Sequence, residues 1–275
     1  MWTLSGFADE IDADLDVQCD TLAADDIRHL ELRSVWDTNV CDLDDDQVAR
    51  VAETVGERGI GVSSIGSPIG KISVTDPFAP HLARFRRALD VAGRLGASYV
   101  RVFSFYLPDG DDPAAHRDEV LRRLSTLADE AGRAGVTLLH ENEKEIYGDT
   151  PARCHDLLES VGSPHLRAAW DAANFVQVGA RPFTQAYALL RPYVAYVQVK
   201  DALLATGEVV PAGEGDGEVP ETLAALHADG FDGYFSMEPH LAATGPLGGF
   251  SGPGRWRHAV AAFTGLLTSQ RIPWE

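Results

Sequence analysis

Short apolar runs and longer amphipathic segments alternate eight times along this chain, at a spacing of roughly 30 residues. The apolar runs, which we predict to be strands, are Trp2–Phe7, His29–Leu32, Ile60–Ile65, Tyr99–Phe103, Val136–Glu141, Leu166–Asp171, Val194–Val199 and Gly233–Glu238. The amphipathic segments predict helices near 14–25, 44–58, 78–95, 112–134, 150–161, 183–191, 220–229 and 255–269. Strands that alternate with helices favour a parallel sheet, and eight such units close a barrel. The sequence therefore predicts the α/β class and a (β/α)8 TIM barrel.

A doubly wound open sheet is the structural alternative, and it usually carries a glycine-rich dinucleotide fingerprint after its first strand. Here the first predicted strand is followed by Ala-Asp-Glu-Ile-Asp at 8–12, which lacks that fingerprint. No long linker or low-complexity segment divides the chain. We therefore expect one domain, residues 1–275, which is the size that such a barrel needs.

The acidic composition limits the partners. The chain has 42 acidic and 23 basic residues and a net charge of −19, and its basic residues are scattered. Because this charge repels phosphate backbones and anionic bilayers, we expect no nucleic acid and no membrane as partner. The three cysteines form no CxxC pair and the first residues lack a signal-peptide pattern, so we expect a reduced, cytoplasmic protein. A homo-oligomer is compatible with the sequence.

The last four predicted strands each carry an oxygen-bearing side chain at or next to their C-terminal end, and these are Glu141, Asp171, Gln198 and Glu238. In a barrel the C-terminal strand ends meet at one rim, where catalytic groups lie. Three carboxylates and one amide oxygen suit Mn²⁺, Mg²⁺ or Ca²⁺ better than Zn²⁺. The alternative is that each buried carboxylate pairs with a nearby cation, such as Lys200 or Arg101.

The four positions lie within longer motifs. These are Gly-Val-Thr-Leu-Leu-His-Glu-Asn-Glu at 135–143, Gly-Asp-Thr-Pro at 148–151, Leu-Arg-Ala-Ala-Trp-Asp-Ala-Ala-Asn-Phe at 166–175, Tyr-Val-Gln-Val-Lys-Asp at 196–201, Gly-Glu-Gly-Asp-Gly at 213–217 and Ser-Met-Glu-Pro-His at 236–240. Together they resemble the xylose isomerase-like barrels of sugar and sugar-phosphate isomerases and epimerases. The motifs span about half of the chain and are specific for the superfamily, not for one reaction.

The resemblance implies metal ligands at Glu141, Asp171, Gln198 and Glu238. Gln198 departs from the family, which usually has histidine there, and Asn174 stands where a substrate-contacting histidine is common. An amide oxygen is a weak, neutral ligand, which makes Mn²⁺ or Mg²⁺ more plausible than Zn²⁺ and leaves loss of the metal open.

The resemblance further implies a divalent-metal-dependent isomerase or epimerase of a carbohydrate. The reaction removes a proton next to a carbonyl and returns it through an enediolate, with Glu141 and Glu238 as acid and base. A dehydratase or lyase of a keto-sugar or keto-inositol would use the same site. A non-catalytic sugar-binding or partner subunit with a degenerate metal site is the remaining alternative. An endonuclease of the superfamily would need a basic face and a histidine-rich zinc cluster, and the sequence has neither.

Six side chains are candidates for substrate contact, namely Glu143, Asn174, Lys200, His240, Arg101 and Lys71. Residues two apart on an extended chain face the same way, so Glu143, Lys200 and His240 should accompany the predicted ligands. Arg101 could bind a carboxylate or phosphate, or form an ion pair with the acidic rim. We expect Lys71 to reach the pocket from a rim loop at 66–71.

Two neighbouring positions have structural interpretations. His140 alternates with Glu141 and should point away from the barrel interior, towards a helix. Asp201 is expected to stabilise a loop.

The glycine-rich segment at 213–217 follows the seventh strand, where barrels often bind phosphate, but its own two acidic side chains favour an unphosphorylated substrate.

Overall fold

The structure is a computed structural model that describes residues 1–242, 244–245 and 248–275. Eight parallel strands form a nearly closed barrel, in the hydrogen-bonded order β1-β8-β7-β6-β5-β4-β3-β2. The strands are β1 (Thr3–Gly6), β2 (His29–Leu32), β3 (Gly61–Ile69), β4 (Tyr99–Val102), β5 (Thr137–Glu141), β6 (Leu166–Asp171), β7 (Val194–Val199) and β8 (Tyr234–Met237). The predicted (β/α)8 barrel is confirmed, and β3 is longer than the sequence indicated.

Helices connect the strands on the outside of the barrel. They are α1 (Leu15–Ala24), α2 (Asp45–Glu57), α3 (Phe78–Leu95), α4 (Arg117–Ala134), α5 (Pro151–Val161), α6 (Ala172–Gln177), α7 (Ala188–Leu190), α8 (Val219–Ala228) and α9 (Gly252–Ser269). A π-helix at Pro182–Tyr187 precedes α7, so the helix predicted near 183–191 is split in two. The short helix α6 was not predicted.

Local sequence signals explain several helix ends. Asp44 and Gln47 form a capping box at the start of α2, in which each side chain bonds the backbone N–H of the other residue. Gly96 and Gly135 follow α3 and α4 in the left-handed conformation, with φ of 69° and 73°. This conformation strains residues that have a Cβ, so glycine is the residue that ends these helices.

The inside of the barrel changes from apolar to polar along its axis. Leu139, Ala169 and Tyr196 form a buried apolar cluster between β5, β6 and β7. The hydroxyl of Tyr196 lies 2.9 Å from the Ser63 hydroxyl, which lies 2.6 Å from that of Ser5. Buried hydroxyls satisfy one another in this way. The polar half lies towards the C-terminal strand ends, where the candidate site is built.

Cys19, Cys41 and Cys154 are buried and form no disulfide. In the part of the chain that the structure describes, no helix has the length and apolar character needed to cross a membrane.

Candidate active site

Three of the predicted strand-end oxygens converge. Glu141 ends β5, Asp171 ends β6 and Glu238 directly follows β8, and one carboxylate oxygen of each lies within 4.8 Å of the other two. Each of the three residues is at most 2% exposed. We call Glu141, Asp171 and Glu238 the carboxylate cluster. Such oxygen atoms, brought together from three strands, form a donor set for a hard cation.

Gln198, the fourth predicted oxygen, lies beside Asp171 because the two residues are paired in the register of β6 and β7. Its Nε2 donates to both carboxylate oxygens of Glu31, at 3.3 and 3.1 Å. Its Oε1 is buried and has no hydrogen-bond partner among the described residues. The amide nitrogen therefore donates to a residue of β2, while the amide oxygen has no partner among the described residues.

Two buried cations neutralise part of the carboxylate cluster. Lys200 Nζ lies 2.9 Å from Asp171 Oδ2 and 3.1 Å from Glu238 Oε2. Arg101 Nη1 lies 2.9 Å from Glu141 Oε2 and 3.3 Å from Glu238 Oε1. The ion pairs that the sequence left as the alternative are thus present. They coexist with the convergence of the three carboxyl groups, because each cation binds the cluster from its own side of the rim.

A further group of charges surrounds Glu238. Arg33 Nε forms an ion pair with Asp9 at 2.7 Å, and its Nη1 lies 3.5 Å from Glu238 Oε1. His240 Nε2 lies 3.4 Å from Glu238 Oε1 and 3.3 Å from Glu10 Oε1. Glu238 is therefore surrounded by basic groups, and the structure places His240 among them, beside the carboxylate cluster.

Lys71 and Glu143 form a more exposed pair, with Nζ and Oε2 3.3 Å apart and side chains 33% and 18% exposed. The Lys71 ammonium lies 4.3 Å from the centroid of the Phe103 ring. The contact with Glu143 places Lys71 at the rim near β5. This pair marks the side of the site nearest to solvent.

Asn174 contacts Glu141. Its Nδ2 donates to Glu141 Oε1 at 3.1 Å and to the Asn142 carbonyl at 2.8 Å. Its backbone N–H donates to Asp171 Oδ1 at 2.8 Å, so Asp171 is the N-cap of α6. The short helix α6 thereby fixes two members of the carboxylate cluster.

The two glutamates of the cluster have pKa values that move in opposite directions. Burial, followed by the charge of Glu238, raises the pKa of Glu141 to about 8, although Arg101 opposes the shift. Burial also opposes ionisation of Glu238, yet Lys200 and His240 hold its pKa well below the usual range. At neutral pH the geometry therefore favours a protonated Glu141 beside an ionised Glu238. Environments that separate two carboxyl groups in this way are typical of acid and base partners.

Asp201 closes the loop that follows β7. Its carboxylate accepts from the backbone N–H groups of Ala202, Gly213, Gly215 and Gly217, at 2.8, 3.0, 3.1 and 2.8 Å. A Cβ on Gly215 or Gly217 would lie 2.5 Å from Asp201 Oδ1, so both positions require glycine. Asp201 has the loop-stabilising position that the sequence predicted.

His140 lies outside the barrel, as expected from its alternation with Glu141. It is 1% exposed and borders Gly148, where a Cβ would meet both His140 and Leu157 of α5 at 2.6 Å. Burial lowers its pKa to about 3, so the ring is neutral.

Sequence reasoning missed four charged residues of this site, namely Asp9, Glu10, Glu31 and Arg33. Glu31 carried a usable signal, because it is a charged residue between two leucines of a buried strand. Arg33 directly follows the same strand, at the end where barrels place their sites. Asp9 and Glu10 follow β1 in the Ala-Asp-Glu-Ile-Asp segment at 8–12, which belongs to none of the motifs that indicate the site.

The sequence profile of the xylose isomerase-like TIM barrel family matches residues 20–264. The chain belongs to this family. A curated relative is the 2-epi-5-epi-valiolone 7-phosphate 2-epimerase of Actinoplanes sp., which is 30% identical over 182 residues, or 66% of this chain and 64% of that protein. The alignment thus spans less than two thirds of the relative's length. The chain is related to sugar epimerases and isomerases.

Solved structures share the fold. A D-tagatose 3-epimerase-like protein superimposes with a TM-score of 0.79 at 16% identity, over 98% of this chain and 100% of that one. A xylose isomerase-like TIM barrel protein from Mycobacterium smegmatis, in complex with magnesium, gives a TM-score of 0.69 at 20% identity, over 97% and 98%.

Proposed function

We propose that this protein is an isomerase or epimerase that moves a proton next to the carbonyl group of a carbohydrate. One observation carries the proposal. Glu141 and Glu238 lie in one buried cluster, both contact Arg101 Nη1, and their pKa values are displaced in opposite directions. Such a pair can remove a proton on one side and return one on the other.

The proton transfers balance without an oxidant or reductant. Ionised Glu238 takes the proton from the carbon beside the carbonyl, and the electron pair moves onto the carbonyl oxygen to give an enediolate. Protonated Glu141 then returns a proton to the opposite face of that carbon, which gives the epimer. For the isomer it protonates the former carbonyl carbon instead, while the hydroxyl proton of the first carbon moves to the former carbonyl oxygen. Lys200 and Arg101 are preorganised to stabilise the negative charge that develops.

The donor set fits a divalent metal ion. Three carboxylates within 4.8 Å of one another and the unpaired Oε1 of Gln198 are all hard oxygen donors. We infer that Glu141, Asp171, Gln198 and Glu238 would hold Mn²⁺ or Mg²⁺. Such an ion polarises the carbonyl and hydroxyl oxygens of the substrate.

Substrate has to pass the rim to reach the cluster, because the cluster residues are at most 2% exposed. Lys71 and Glu143 lie on the exposed side and offer an ammonium and a carboxylate to sugar hydroxyls. We infer that the loop at 213–217 does not bind a substrate phosphate, since three of its backbone N–H groups already donate to Asp201. The favoured substrate is therefore a carbohydrate without a phosphate at this loop.

Solvent-deuterium exchange tests the proposal. Purified protein is incubated in D₂O with Mn²⁺ or Mg²⁺ and a panel of ketoses, inososes and their phosphates. We expect deuterium at the carbon next to the carbonyl for at least one compound. Glu141→Gln and Glu238→Gln should each slow the exchange at least about 100-fold, as expected for a lost acid or base. Glu145→Gln, at an exposed glutamate of the loop after β5, is the matched control and should exchange like the wild type.

The products separate the competing functions. A dehydrated product in place of an isomer would favour the lyase or dehydratase. Sugar binding without exchange for any compound, together with the absence of bound metal after Mn²⁺ soaking, would favour a non-catalytic sugar-binding subunit. Exchange at the wild-type rate in both glutamate variants would refute the assignment of the acid and the base.

A further inference from the structure

The amide of Gln198 has two different ends. Its Nε2 donates to Glu31 Oε1 and Oε2 at 3.3 and 3.1 Å, whereas its Oε1 is buried and has no hydrogen-bond partner among the described residues. Gln198 is 1% exposed and lies beside Asp171 in the barrel register. The free end is thus a buried acceptor oxygen on a residue that pairs with Asp171, a member of the carboxylate cluster.

We propose that Glu31 is a positioning residue, which fixes the amide of Gln198 so that its oxygen and not its nitrogen faces the carboxylate cluster. This inference rests on the metal site of the proposed function. It assigns to Glu31 a role that the ligand motifs do not include, since Glu31 lies on β2 and Gln198 on β7.

The amide needs such a partner because its two ends are nearly equal in shape. Rotation by half a turn about the last side-chain bond exchanges an acceptor oxygen for an NH₂ group with two donors. Only the oxygen can bind a cation, while the NH₂ group would repel one. A histidine at this position would not present that choice between an oxygen and an NH₂ group. Glutamine does, and it therefore needs a partner that fixes the orientation of its amide.

Glu31 selects one of the two orientations of the Gln198 amide. Its two carboxylate oxygens accept from Nε2, and an amide oxygen turned towards them would meet two acceptors. Glu31 is itself 0% exposed, so bulk water does not replace Gln198 Nε2 as the donor to its carboxylate. The oxygen that remains without a partner is unfavourable in a buried site, and a bound cation would relieve this cost.

Calorimetric titration of the 275-residue chain with Mn²⁺ tests the inference, with metal affinity and not turnover as the readout. Glu31→Gln removes the carboxylate, and Glu31→Asp keeps the charge but shortens the reach. We expect both to weaken Mn²⁺ binding by about 10–100-fold, as outer-shell partners of metal ligands typically do. Asp25→Asn is the control, because Asp25 is a half-buried carboxylate that accepts from Trp256 Nε1 at 3.2 Å and lies between α1 and the start of β2, at the opposite end of the barrel from the carboxylate cluster. Its effect should stay below about threefold, less than an outer-shell ligand partner produces.

A double variant that exchanges the residues at positions 31 and 198 separates loss of orientation from loss of packing. Glu31→Gln combined with Gln198→Glu keeps the total charge and the hydrogen bond, and it places a carboxylate, which has no wrong end, at position 198. This double variant should recover at least the wild-type Mn²⁺ affinity, which a general loss of packing at position 31 would not allow. Thermal unfolding without metal checks that each variant is folded.

Wild-type affinity in both Glu31→Gln and Glu31→Asp would overturn the inference. Full affinity in Glu31→Asp alone would also overturn it, because charge and not orientation would then be decisive. Either result can coexist with normal deuterium exchange, so the proposed function would stand. Wild-type protein that binds no Mn²⁺ overturns the inference together with the metal site.

Discussion

Lys200 competes with a metal ion for the carboxylate cluster, and its removal gives a prediction in two parts. Its Nζ lies 2.9 Å from Asp171 and 3.1 Å from Glu238, and all three residues are at most 4% exposed. Lys200→Met keeps most of the side-chain volume and removes the charge. We expect the metal-free protein to lose stability, and Mn²⁺ to restore more stability in the variant than in the wild type.

The magnitude follows from the burial of the pair. Removal of one partner of a buried ion pair costs about 3–5 kcal/mol, since the remaining charge has no compensation. Burial already raises the pKa of Asp171 to about 6, so proton uptake near neutral pH relieves part of the cost. We therefore expect a loss of about 3 kcal/mol, or a decrease in Tm of about 6–12 °C for a chain of this size. A ligand at 100 times its Kd returns about 2.7 kcal/mol.

Urea denaturation and thermal unfolding, each with and without Mn²⁺, measure both effects. Lys144→Met is the control, because Lys144 is exposed and its removal should leave both midpoints within error. An unchanged metal-free stability in Lys200→Met would refute the reasoning about the buried pair. A gain from Mn²⁺ no larger than that of the wild type would refute the competition between lysine and metal.

Three further predictions concern the surroundings of the site. Asp201→Asn should lower the free energy of unfolding by about 2–4 kcal/mol, because an amide cannot accept from all four N–H groups; an unchanged urea midpoint would contradict this. Burial, with help from nearby arginines, lowers the pKa of His81 to about 4, so the unfolded state binds more protons between pH 4 and about 6.5. The free energy of unfolding should therefore fall by at most about 3 kcal/mol as the pH falls through this window. His81→Gln cannot titrate, so it should make the free energy of unfolding depend less steeply on pH. An equally steep dependence in the variant would contradict the assignment to His81. Lys71→Met should raise the KM for the substrate with a smaller change in kcat, and a fall confined to kcat would place Lys71 at the transition state instead.

The fold was predictable because its signal is repeated. Each of the eight apolar runs predicted a strand independently, and the number of units then determined the closed barrel. The helix α6 was missed because Ala172–Gln177 continues the apolar pattern of β6, and its start depends on the Asp171 side chain acting as a cap. The sequence predicts that Asp171 ends a strand and is a candidate ligand, and nothing in it indicates that the same side chain also caps a helix.

The site was predictable only where strand ends carry it. The spacing of Glu141, Asp171 and Glu238 places them at one rim, and the structure brings their oxygens together. The contact of Gln198 with Glu31 joins residues 167 positions apart, and no local pattern specifies it. Likewise, the position of Lys200 two residues after Gln198 predicts the direction of its side chain but not whether it meets substrate or carboxylates.

The central claim is that Glu141 and Glu238 transfer a proton at the carbon next to a carbonyl. Its most direct test is mass spectrometry of product and recovered substrate after turnover in D₂O by the Mn²⁺-loaded protein. We predict one solvent deuterium at that carbon, with its incorporation lost in Glu238→Gln. An isomerised product, with no deuterium in product or recovered substrate, would indicate direct transfer of hydrogen between carbons and contradict the claim.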